Sequence, residues 1–325
     1  MKTSAQKPSI FLVVIAFAIV YVVWGSTYFF IQMAIHGFPP MLMGALRFFT
    51  AGILLLTWCY IKGDKIWAPK NVLNSCISGL LTLFIATGVV IWVEKTLPSS
   101  IVAIMVSANP IWFVVLDKAN RKVNLGSKTT IGGIVLGFAG VLLLFGEAIS
   151  KSLAGSISAA QLSGLLLLLI SPVAWCGGSL FSKKRGSNSP ARLNTAWQMI
   201  IAGLAFIPAG FAHNEYTSFH FSQVPLQAWV ALIYLIIFGS IGAFSAYVWL
   251  LSVKPATQVS THSYINPVIA VLLGVLFAHE HLSGLQFFGL IVILSSVLLV
   301  NINKYKFKMP RFFIKQSKIE TCQHI

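Results

Sequence analysis

The sequence predicts an all-α polytopic membrane protein of ten transmembrane helices, arranged as two inverted five-helix repeats. Three observations carry this expectation. First, 57% of the 325 residues are apolar and only 9% are charged, with a mean hydropathy of +0.85. A soluble domain of this size could not cover its surface with so few charges. Second, ten apolar runs of spanning length follow one another through short connections. Third, one pattern occurs twice: Trp92, Pro98 and Asn109-Pro110 return about 157 positions later as Trp249, Pro255 and Asn266-Pro267.

The runs cover residues 10–35, 41–62, 71–93, 98–116, 128–146, 162–182, 192–212, 226–251, 256–278 and 283–302. The first follows Lys2 and Lys7 but is too long for a signal-peptide core, so it reads as an uncleaved span. The second opens behind Pro39-Pro40, the fourth at Pro98 and the ninth just after Pro255. In the fourth and ninth, the Asn-Pro pair falls about 11 residues in, roughly 16 Å deep at a rise of about 1.5 Å per residue. That is close to the midplane of a hydrocarbon slab about 30 Å thick. A proline there removes a donor and frees the carbonyl four residues earlier. Membrane interiors tolerate this where a neighbour, a side chain or a water-lined cavity satisfies the freed group. Two broken helices meeting at mid-depth are thus expected to frame a binding site.

The repeat extends over the whole chain. Trp24 matches Trp175, Phe30 matches Phe181, Pro39 matches Pro190, Ala45 matches Ala196 and Gly52 matches Gly203, at an offset near 151. From Trp92 onward the offset is about 157, through Leu125/Leu282 and Gly132/Gly289, so the extra residues enter around 213–225. The expected units are residues 1–150, residues 151–303 and a basic tail, 304–325. Five spans per half, an odd number, turn the halves upside down relative to each other. Lysine and arginine support this, because with a cytoplasmic N-terminus they cluster in cytoplasmic connections such as Lys62–Lys70, Lys118–Lys128 and Lys183–Arg192. Only Lys95 and Lys151 fall on the other side. A multi-pass protein of a bacterial inner membrane with both termini cytoplasmic is expected. The net charge of +16 sits in these short loops, which speaks for a lipid bilayer and against a nucleic-acid partner. Cys59, Cys76 and Cys176 lie in apolar runs and Cys322 in the tail, without metal-ligand spacing or a disulfide framework.

Trp24-Gly25-Ser26-Thr27, Pro39-Pro40, Leu46-Arg47-Phe48, the two Asn-Pro pairs and Ala278-His279-Glu280-His281-Leu282 with Phe288-Gly289 together resemble the EamA family of the drug/metabolite transporter superfamily. The resemblance covers nearly the whole chain. It implies a secondary transporter of small molecules, most simply an exporter of amino acids or related metabolites, acting as a monomer or homodimer, with no cofactor and with proton coupling left open. The position matching Glu280 in the first half is Val123, so a role for that glutamate is not shared by the halves.

Each candidate residue has a functional and a structural reading. Trp24, Thr27, Tyr28 and Gln32 form one stripe of the first helix, matched by Trp175, Gly178, Ser179 and Lys183 of the sixth. The stripe reads as a cavity wall or as interhelical packing. Asn109 and Asn266 read as substrate ligands or as caps for carbonyls freed by Pro110 and Pro267. His262 and Tyr264 add polarity beside Asn266, with a hydrogen-bonded packing histidine favoured over a proton carrier. Arg47 is the one permanent charge well inside a span, a functional or gating group or a side chain that snorkels to the outer interface. Glu94, Asp117, Glu147 and Glu280 fall at helix ends, so no carboxylate is expected inside the membrane. His279 and His281 are two apart and face away from each other on a helix, which excludes a zinc-type pair. Gly133, Gly137 and Gly140 read as helix packing. A broad drug effluxer is the second transport reading, and it would want a deep carboxylate. An intramembrane enzyme would need a nucleophile with its base, and no Gly-x-Ser-x-Gly stretch occurs.

Overall fold

The structure, a computed structural model, describes residues 9–97, 99–144, 146, 150, 158–185, 189–217, 219–278 and 283–301. Glu280 with its flanking histidines, and the basic tail, lie outside the described residues. In chain order the helices are α1 (Ile10–Ile35), α2 (Pro40–Ile61), α3 (Pro69–Val93), α4 (Ser99–Val106), α5 (Asn109–Leu116), α6 (Arg121–Gly126) and α7 (Lys128–Leu144). They continue with α8 (Ala159–Arg185), α9 (Ala191–Ala212), α10 (Leu226–Val253), α11 (Ala256–Val259), α12 (His262–Ala278) and α13 (Gly284–Asn301). Among the described residues α1, α2, α3, α8, α9 and α10 are long and apolar enough to cross a membrane. The stretches Ile101–Leu116, Lys128–Leu144 and Gly284–Val300 are shorter apolar helices. The protein is an all-helical, multi-pass membrane protein.

Two helix pairs form the most extensive contacts, α2 with α9 and α7 with α13. Small residues let their backbones approach closely. A methyl group at Gly52 would lie 2.7 Å from the Ile200 nitrogen, and one at Gly203 would lie 2.4 Å from the Phe49 nitrogen. The contact is reciprocal, since Gly52/Gly203 and Phe49/Ile200 are both separated by the same offset. In the other pair Gly133 and Gly140 approach the Val300 and Ile293 nitrogens, and Gly289 approaches that of Leu144. Gly137 instead receives the Tyr264 ring and Ser296.

Four departures from the sequence reading shape the centre. Residues 98–116 are split at Ser107-Ala108, so α5 starts at Asn109 with Pro110 in its first turn. That position suits proline, whose missing donor has no helical partner there. The second half breaks about a turn earlier relative to its Asn-Pro pair, at Ser260-Thr261, and α12 runs through Pro267. The helix start in the second half is therefore at His262, ahead of the Asn-Pro pair. Third, α3 and α10 each contain a π-helical stretch, Leu80–Ala86 and Leu235–Phe244, which overlap under the repeat offset. No proline or charge marks them in the sequence, and such stretches recur at functional sites. Fourth, Glu94, read as an ordinary helix end, is only 5% exposed.

Polar ties hold the ends. Asp64 accepts two hydrogen bonds from Arg192, at 2.7 and 2.8 Å, and this bond to the guanidinium holds its carboxyl below the ordinary value. Trp197 Nε1 donates to the Ile66 carbonyl, closing the connection between α2 and α3 onto α9. Lys183 Nζ donates to the carbonyls of Leu251 and Lys254 at the C-terminal end of α10, where a cation is favoured. At the opposite end Glu215 Oε2 accepts from the Met41 and Leu42 amides, two donors that helix α2 leaves unpaired.

The α2–α9 contact predicts a sharp positional contrast. Gly203→Ala places a methyl against backbone that cannot move aside and is expected to lower the melting temperature of the purified protein markedly. Gly126→Ala meets nothing within 4 Å and should be neutral or slightly stabilising. Equal melting curves for the two variants would show that the helices do not meet there.

Candidate functional site

A cavity of about 90 Å³ lies where α1, α2, α3, α5, α8, α10 and α12 converge. Its walls include Trp24, Thr27, Tyr28, Arg47, Asn109, Trp175, His262 and Asn266, eight residues already singled out by the sequence. The structure brings them together from both halves. It adds others that sequence reasoning missed, among them Ala86 and Thr87, Ser171, Gly239 and Phe244. Ala86, Gly239 and Phe244 belong to the π-helical stretches, whose irregular turns had no compositional signal.

The aromatic floor is built around Trp24. Its ring lies 5.3 Å from that of Trp175, its repeat partner, 5.0 Å from Tyr247 and 4.9 Å from His262. The Trp24 indole nitrogen donates to the Gly239 carbonyl at 3.1 Å, fixing α1 to the π-helical stretch of α10. Thr27 Oγ1 donates back to the Trp24 carbonyl, and its methyl lies against Gly239. On the facing side Ser171 Oγ donates to the Ala86 carbonyl at the end of the other π-helical stretch.

The two Asn-Pro regions meet here. Asn109 Nδ2 donates to Ser263 Oγ at 3.1 Å, joining the start of α5 to the first turn of α12. The Asn109 carbonyl accepts from Cys176 Sγ, and Tyr21 shares a 2.7 Å hydrogen bond with Thr261 at the break before α12. Asn266 Nδ2 lies 3.4 Å from His262 Nδ1, and Ser263 Oγ lies 3.5 Å from the same atom. These long contacts leave His262 Nε2 and Asn266 Oδ1 buried without a hydrogen-bond partner. His262 is thus hydrogen-bonded through Nδ1 and packed among aromatic rings, while its ring lines the cavity with Nε2 unpartnered.

Arg47 does not snorkel. It is 4% exposed, its Nε donates to Ser240 Oγ at 2.9 Å, and its guanidinium carbon sits 4.8 Å from the Phe48 ring centroid. Its Nη1 has no partner. A buried polar group without a partner costs about 1–3 kcal/mol, so each such atom on this wall favours binding of a complementary group.

Four candidates fall elsewhere. Ser179 is bonded to Tyr247 at 2.8 Å, beneath the aromatic floor. Tyr264 donates to the Ile134 carbonyl and fills the notch at Gly137, a packing role. Pro110 and Pro267 shape the helices that carry Asn109 and Asn266. The cavity residues offer donors, acceptors and aromatic faces, but no nucleophile paired with a base. This arrangement suits reversible binding of a small polar molecule with an apolar part.

Comparison with known proteins agrees. The profile of the EamA-like transporter family matches residues 11–146 and 162–302. The chain is 34% identical to the "Uncharacterized inner membrane transporter YedA" of Escherichia coli (strain K12), over 88% of this chain and 90% of that protein. It is 26% identical to the "Probable amino-acid metabolite efflux pump" of the same organism, over 86% and 91% of the two chains. A solved crystal structure shares the fold at 17% identity and a TM-score of 0.72, covering 90% of this chain and 96% of that one. The chain belongs to the EamA-like transporter family and is a membrane transporter, not an enzyme.

Proposed function

We propose that the protein is a secondary transporter of amino acids or related small metabolites, working by alternating access around the central cavity. The observation that carries this reading is the meeting of both Asn-Pro regions at one cavity whose wall holds unpartnered donors and acceptors. Three further features support it. The α2–α9 contact is reciprocal, the π-helical stretches overlap under the repeat offset, and a relative bears the name of an amino-acid metabolite efflux pump. Two inverted halves in a bacterial inner membrane, with both termini cytoplasmic, are part of the same proposal, and the name of the YedA relative supports that location. A broad effluxer of organic cations fits less well, because a buried guanidinium lines the cavity.

The topology is tested with single cysteines at Asn214 and Ser187 in a cysteine-free background. The first should label from outside the cell and the second from inside; labelling from one face would sink the inverted arrangement.

Transport is tested in liposomes with a panel of amino acids, their amides and organic cations, with and without a pH gradient. Amino acids should be the moving class. Asn109→Ala and Asn266→Ala should insert normally yet move substrate roughly fivefold to hundredfold more slowly, as expected for about 1–3 kcal/mol lost at a buried polar group. Full-rate transport by the double variant would leave both asparagines as packing devices.

A further inference from the structure

Glu94 and Arg47 are both almost wholly buried, at 5% and 4% exposure. Arg47 stands on the cavity wall, held through Nε by Ser240 with Nη1 left over. Glu94 follows the last turn of α3, one turn beyond the cavity-lining Val90, and neither of its carboxylate oxygens has a hydrogen-bond partner. The two side chains lie within electrostatic reach of each other without touching. Of the charged and titratable groups around Glu94, Arg47 on α2 acts on it, and Glu94 in turn acts on Tyr28 of α1, which also lines the cavity. Lys95, the next residue, turns onto the Trp92 ring and acts with His213 on Glu215 instead. The repeat adds a second, independent observation. The counterparts of Arg47 and Glu94 in the other half are Gln198 and Leu251, so the two charges occur together and only in the first half.

We propose that Arg47 and Glu94 form a proton-switched anion subsite, in which Glu94 neutralises Arg47 until a substrate carboxylate takes over Arg47 and a proton neutralises Glu94. The exchange balances. Without substrate, one positive and one negative side chain share the buried region. With substrate, the carboxylate accepts a charge-assisted hydrogen bond from Nη1 while Glu94 binds one proton and becomes neutral. Neither state leaves a charge uncompensated in the low-dielectric interior. No covalent bond changes, and one proton is taken up for each carboxylate bound. The proposal rests on the cavity being the transport site. It names the chemical class recognised there, a carboxylate, and gives Glu94 a positioning role through Arg47.

The test follows the protonation of Glu94 by infrared spectroscopy of the full-length protein in nanodiscs, with Glu94→Gln identifying its carboxyl band. Arg47→Gln removes the neighbouring positive charge and should raise the pH at which Glu94 is half-protonated by about one unit or more, a tenfold change in proton concentration. An unmoved midpoint overturns the pairing. In the wild type, propionate should raise the midpoint in a saturable manner, propionamide should not, and Arg47→Gln should abolish the propionate effect. Propionate and propionamide acting alike, or an effect that survives Arg47→Gln, overturns the anion subsite. If propionate behaves as expected but no amino acid is transported, the amino-acid reading fails and the subsite stands.

Discussion

Inside a bilayer, every backbone amide and carbonyl must find its partner within the protein, and this constraint governs the centre of the molecule. The breaks at Ser107-Ala108 and Ser260-Thr261 interrupt two helices where water cannot compensate freely. Side chains take over. Ser107 Oγ donates to the Ile104 carbonyl at 2.6 Å, Ser260 Oγ to that of Thr257 at 2.9 Å, and Thr261 Oγ1 to that of Gln258 at 2.7 Å. Asn109 then crosses to Ser263 and Tyr21 to Thr261, so the breaks are stitched to each other and to α1. The π-helical stretches are served in the same way, by Trp24 at Gly239, Ser171 at Ala86 and Thr87 at Thr82. Hydroxyls, an amide and an indole thus make irregular backbone affordable at the one place where a cavity is wanted.

Those repairs also explain which cavity atoms remain free. Asn109 is engaged with Ser263, whereas Asn266 keeps Oδ1 open and His262 keeps Nε2 open. The halves share a framework but differ in chemistry: hydrogen-bonding groups dominate the α12 side, and the permanent charge sits on α2. Burying Arg47 alone would cost several kcal/mol after relaxation. Ser240 and the Phe48 ring offset part of this, and the field of Glu94 offsets more. A buried charge with incomplete solvation by its own protein is a natural site for a counter-charge that arrives and leaves.

Much of this was legible in the sequence, for identifiable reasons. Apolar runs, loop lysines and the repeated Trp–Pro–Asn-Pro pattern report on burial and on backbone punctuation, which are local and compositional. They led to eight residues of the cavity wall, from Trp24 and Trp175 to Asn109 and Asn266. Three things were not legible. The π-helical stretches are made of the same Leu, Ile, Phe and Gly as any apolar helix, so nothing in composition sets them apart. The break before α12 was masked by Pro267, a stronger breaker on paper that the helix accommodates. Glu94 stands at a helix end, where carboxylates are ordinarily wet; its burial arises from tertiary packing, which no single-chain pattern encodes. The one available signal was internal: the repeat partner of Glu94 is Leu251, an apolar residue, which marks that position as one the fold buries.

The asymmetry between the halves is the final step of the argument. In the proposed alternating-access cycle, the reciprocal helix contacts would let one half rock against the other while exchanging equivalent packing. Identical chemistry in both halves would leave a substrate equally held from either side. Here Gln198 and Leu251 stand at the positions that Arg47 and Glu94 hold in the first half, and Gln198 Nε2 donates to Ser182 Oγ at 3.4 Å. In the proposed cycle the framework would alternate while the charge stays with the first half. An uneven charge distribution on an even scaffold would let the two access states differ in affinity for an anion, while the direction of net movement is set by the gradients across the membrane.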